Sequence, residues 1–76
     1  MNYKIFEIVV LEKDMPVHGL MRGDTGTIVE LFEPDGIEVE FISGAGNTKA
    51  VLTLKGNDIR HLSENDILAV RLVDEA

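Results

Sequence analysis

Between Ile37 and Ile42 the chain reads Ile-Glu-Val-Glu-Phe-Ile, a near-perfect apolar/acidic alternation. Successive side chains of a strand point to opposite sides, so Ile37, Val39 and Phe41 belong to a core and Glu38 and Glu40 to water. The segment before it, Gly26 to Glu33, is also strand-like, but Ile28 and Leu31 stand three apart. A bulge near Val29-Glu30 brings both inward. Pro34-Asp35-Gly36 separates the two runs: proline presets φ and glycine supplies the positive φ that a tight turn uses. The pattern predicts a hairpin.

The same signals place the other elements. Ile5 to Leu11 is rich in β-branched and aromatic residues and predicts a first strand. Both of its faces carry apolar residues, so both are expected to be partly covered. Glu12 to Gly26 breaks the pattern with Pro16, Gly19 and Gly23. Met15, Val17, Leu20 and Met21 are expected to anchor this long connection against the body. Gly23 and Gly26 read as positive-φ turn and bulge positions. After a turn at 43–47, Thr48 to Leu54 predicts a strand with Ala50, Leu52 and Leu54 on one face. Lys55 to Asp58 predicts a single helical turn, and Ile59 to Leu62 a short fifth strand. Ile67 to Val73 predicts a last strand, with a short helix capped by Ser63 as its rival.

Short strands at about ten-residue intervals, joined by glycine-bearing turns, indicate an all-β barrel or sandwich. With five to six strands, a small antiparallel barrel leaves fewer free edges than an open sheet. The 76 residues form one domain, 1–76, without repeat or linker. The longest apolar run, Ile8 to Leu11, is too short to span a bilayer, and no secretory pattern opens the chain. Together with the lack of cysteine, this predicts a cytoplasmic protein with no membrane association.

Two stretches resemble known proteins. Arg22-Gly23-Asp24-Thr25-Gly26-Thr27-Ile28-Val29-Glu30-Leu31 resembles the glycine-bearing hairpin of KOW-type and other SH3-like barrels. The ordered set Glu7–Leu11, Met15-Pro16, His18–Leu20, Arg22-Gly23, Gly26–Glu30, Ile37–Phe41 and Ala50–Leu54 is similar to the small bacterial domain-of-unknown-function family DUF4926. The resemblance covers about residues 5–62 and leaves 63–76 as a terminal strand or short extension. It implies an SH3-like barrel and brings no activity, cofactor or catalytic residue. It also implies a gene encoded beside those of other small uncharacterised proteins, some toxin-like, which would suit an antitoxin-like or immunity-like role.

Charge and chemistry narrow the function. Seven basic residues stand against fourteen acidic ones, a net charge of −7. A phosphate-backbone binder needs the opposite balance, so KOW-like RNA or ribosome binding is the alternative rather than the leading reading. Ser43 and Ser63 lie in turns and have no activated setting. His18 and His61 lack the local spacing of metal ligands, and Gly44-Ala45-Gly46 lacks the helix and lysine of a phosphate loop. Neither catalytic residue, metal nor cofactor is expected. The expectation is a non-catalytic protein-interaction module, with an accessory subunit of a larger enzyme complex as a further alternative. Its candidate contacts are Asp14, His18 and Arg22 in the long connection and the acidic row Glu30, Glu33, Glu38 and Glu40. An unpaired terminal strand at 67–73 is a candidate for homodimerisation by edge pairing.

Overall fold

The alternating hairpin is the centre of the molecule. In a computed structural model, which describes residues 2–73, strand β2 (Thr25–Phe32) pairs antiparallel with β3 (Gly36–Ile42). The register shifts between Ile28 and Glu30, which is the expected bulge. It leaves Ile28 fully buried and Leu31 packed against the core. Ile37, Val39 and Phe41 are buried from the other strand.

Around this hairpin, β1 (Ile8–Leu11) pairs with β2, and β4 (Thr48–Leu54) with β3. β5 (Ile59–His61) pairs with β1, following a single 3₁₀ turn at Gly56–Asp58. The order is β4-β3-β2-β1-β5, all antiparallel. The all-β class, the five strands and the helical turn match the sequence expectation. Closure does not: β4 and β5 are both edges, and the ladder stays open between them. β5 has only three residues, too few to pair along the seven of β4, and the two do not pair.

The inward faces meet in one cluster of Val9, Leu11, Leu20, Ile28, Ile37, Val39, Phe41, Leu54 and Ile59. No polar side chain is buried among the described residues. Removing these apolar surfaces from water is the main stabilising term of the domain. The long connection contributes only in part. Leu20 is buried, and Met15 packs against the core and bridges to Leu20, whereas Val17 and Met21 are exposed.

Three local expectations are corrected. Gly23 has the expected positive φ of 95°, but Gly26 and Gly36 do not need one. A Cβ on Gly26 would stand 2.6 Å from Val39 Cγ1, so its role is close approach between strands. The first strand begins at Ile8, because Lys4 to Glu7 closes a turn in which Phe6 adopts φ 71° and is 77% exposed. Residues 67–73 form neither strand nor helix but an irregular strap. The 74–76 part of the expected terminal extension lies outside the described residues.

Candidate functional site

With the inner face filled by the core, the outer face of the sheet is where a partner has access. Registers place its side chains in rows. Ile8 of β1 lies opposite Thr27 of β2, Thr27 opposite Glu40 of β3, and Glu40 opposite Val51 of β4. The neighbouring row runs from Glu30 through Glu38 to Thr53. Ile42 follows Glu40 in the same phase along β3. Ile8, Ile42 and Val51 are exposed, and a shallow groove lined by Ile8, Thr25, Thr27, Glu40 and Ile42 opens between them.

Glu30 and Glu38 therefore face one another across β2 and β3, an arrangement that is unfavourable for two carboxylates. Among the described residues, no ion pair includes Glu30, Glu33, Glu38 or Glu40. Glu40 accepts a hydrogen bond from the Thr48 hydroxyl at 2.6 Å, and Glu30 from the Leu31 N–H at 3.2 Å. Glu33 stands in the turn beyond β2 and lies outside these rows.

The loop candidates form a second, separate group. Asp14 accepts a hydrogen bond from the Arg22 N–H at 2.8 Å, closing the base of the connection. His18 ends the 3₁₀ turn Pro16–His18 and is exposed. No hydrogen bond or ion pair joins Asp14, His18 or Arg22 to the glutamate rows. The seven residues therefore do not make one surface: Asp14, His18 and Arg22 lie in the connection, Glu30, Glu38 and Glu40 on the sheet, and Glu33 in the turn beyond β2.

A family model, described as a domain of unknown function (DUF4926), matches residues 5–61. The chain belongs to this family. Neither a curated protein nor a solved structure matches it. The DUF4926 segment takes in all five strands and ends at His61, the last residue of β5. No helix among the described residues is long and apolar enough to cross a membrane, and no group of three His, Cys, Asp or Glu is disposed to hold a metal.

Sequence reasoning missed several interactions, most of which tie residues outside the DUF4926 segment to it. Tyr3 stacks on His61 with ring centroids 4.3 Å apart, and His61 Nδ1 meets Glu7 Oε2. Burial, reinforced by Glu7 and Glu12, pushes the Tyr3 hydroxyl above its ordinary pKa. Arg60 makes two 2.8 Å bonds to Asp66, and Arg71 bonds Asp24 and the Gly19 carbonyl. Partial burial raises the Asp24 carboxyl, but the Arg71 and Met21 hydrogen bonds outweigh it and leave it below the usual range. The in-phase position of Ile42 beside Glu40 was a usable signal for the outer row. The left-handed backbone of Phe6 had none, since such conformations are uncommon for bulky residues.

Asp66 gives a pH prediction. The Arg60 hydrogen bonds, with the Ser63 N–H, hold its carboxyl at about 2. An unfolded aspartate titrates near pH 4. A depressed folded value contributes stability above the unfolded pKa, and that contribution disappears as pH falls through the folded one. Urea midpoints are expected to fall from about pH 4 to about pH 2. Asp66→Asn should make that acid slope shallower; an unchanged slope would show that Asp66 is not its source.

Proposed function

We propose that this domain is a non-catalytic interaction module whose outer sheet face, centred on Glu38, binds a protein surface that is basic at its rim and partly apolar. The observation that carries this reading is the cross-strand pair Glu30–Glu38, without an ion pair among the described residues and next to the Thr27–Glu40 row that carries exposed Ile8, Ile42 and Val51. Lys13, Arg60 and Arg71 are engaged in ion pairs with Asp58, Glu12, Asp66 and Asp24, away from these rows. Opposed carboxylates on a strand pair cost folding stability, and a partner's Lys or Arg seated between them reverses that cost. The apolar neighbours supply the area that charges alone do not.

The product of the adjacent gene is the first partner to test, by co-expression and pull-down. The wild-type domain should retain it at micromolar concentration, and Glu38→Lys/Glu40→Lys should lose it. Glu38→Lys alone should raise the thermal midpoint, because it turns a like-charge pair into an opposite one worth about 0.5 kcal/mol. A binding surface that gains stability when its key charge is reversed is the expected mark of function held against stability. Retention of the partner by the double variant would overturn the reading. So would wild-type binding to RNA with a steep salt dependence and to no protein.

A further inference from the structure

The strap at 67–73 inverts the usual order of a surface strand. By alternation Ile67, Ala69, Arg71 and Val73 stand on one side and Leu68, Val70 and Leu72 on the other. On the first side Arg71 and Val73 carry the contacts to the body, while Ile67, 92% exposed, and Ala69 are open to solvent. Arg71 Nε donates to Asp24 Oδ1 at 2.8 Å and Nη2 to the Gly19 carbonyl at 2.9 Å, and Val73 is half-buried beside Gly19. The other side faces solvent: Leu68 is 69% exposed, Val70 100% and Leu72 95%. At its start the strap is fixed by the Arg60–Asp66 pair. Between these two fastenings, no backbone hydrogen bond is made by residues 67–73 among the described residues. A β-prone segment with free backbone groups and an outward apolar row is open to pairing with another strand.

We infer that the missing neighbour is the same segment of a second copy, paired antiparallel about a two-fold axis through Val70. The sequence of the row supports this occupant. The free row Leu68, Val70, Leu72 reads alike in both directions, although Ala69 and Arg71 between them do not. Antiparallel pairing about Val70 sets each Leu68 against the other copy's Leu72 and the two Val70 residues against each other, as an isologous contact demands. Charge permits the approach despite −7 on each chain. Residues 67–73 hold no carboxylate, and Asp24 and Asp66 beside the strap are already paired with arginines; Asp74 and Glu75 follow it in the sequence. The contact is small, so the dimer is of the weak, concentration-dependent kind.

Sedimentation velocity of the full chain over a concentration series is expected to show a monomer–dimer equilibrium. Val70→Glu opposes two carboxylates at the axis and should weaken the dimer at least about tenfold. Val70 is wholly exposed, so the monomer keeps its fold, as the thermal midpoint should show. The chain has no cysteine, so Val70→Cys introduces a single thiol. Facing residues of an antiparallel pair lie about 4.5–5.5 Å apart at Cα, within disulfide range. Mild oxidation should therefore link two Val70→Cys chains, while a Val17→Cys chain, equally exposed but outside the strap, should stay unlinked. A wild-type chain that is monomeric at the highest soluble concentration overturns the inference, as does a dimer indifferent to Val70→Glu or equal linking at Val17→Cys.

Discussion

Ile28→Ala should cost about 3–4 kcal/mol and leave the domain close to its unfolding threshold. Ile28 is fully buried, sits opposite Val39, and immediately precedes the β2 bulge. Its N–H and carbonyl tie it to Glu7 and Phe6, so the backbone around it is held on both sides. Such a site relaxes little when the side chain is removed, and the cavity term then adds to the lost transfer energy. A domain of this length commonly holds only about 5 kcal/mol or a little more in total. Urea denaturation measures the effect as a fall in midpoint at unchanged slope. Val29→Ala, at the half-buried bulge position next to it, is the comparison and should cost well under half as much. Equal losses at the two positions would show that the bulge does not select Ile28 for the core.

Gly26→Ala is the second large effect, and its sign is informative. In a strand interior, alanine is ordinarily better than glycine by about 0.5–1 kcal/mol, because glycine loses more backbone freedom on folding. At position 26 the added methyl would lie 2.6 Å from Val39 Cγ1, 2.9 Å from Phe41 Cε1 and 3.0 Å from the Glu40 carbonyl oxygen. The backbone oxygen and the two fully packed core side chains cannot all move aside. Overpacking of this kind costs about 2–3 kcal/mol, which outweighs the entropic gain. Thermal denaturation should therefore show a lower midpoint for Gly26→Ala, while Gly44→Ala, with no neighbour within 4 Å, should show little change. A stabilised Gly26→Ala would mean that β2 and β3 sit farther apart at Gly26 than the 2.6 Å approach to Val39 Cγ1 implies.

The interaction reading and the dimer reading use different surfaces and fail separately. Glu38→Lys changes the sheet face and leaves the strap untouched; Val70→Glu does the reverse. Partner binding by a monomeric Val70→Glu chain would keep the first reading and remove any need for the second in that contact.

What the sequence determined by itself was everything governed by a period of two over a few residues. The β2–β3 hairpin, its bulge, the inward row Ile37–Val39–Phe41 and the outward Glu38 and Glu40 all follow from local alternation, because a strand's geometry assigns each side chain to a face regardless of the rest of the chain. The family pattern was legible for the same reason, since it consists largely of these strand and turn residues. Tertiary structure alone decided the remainder. Whether the ladder closes depends on where β4 and β5 end up, and the path of the chain leaves them as opposite edges. Which carboxylates are neutralised depends on contacts between residues far apart, such as Arg71 with Asp24, 47 positions away. These pairings leave Glu30 and Glu38 uncompensated and turn the β-prone segment 67–73 into a latched strap. Alternation sorts residues into faces, but it does not specify which face another part of the chain will cover, because that is set by the path of the backbone through space.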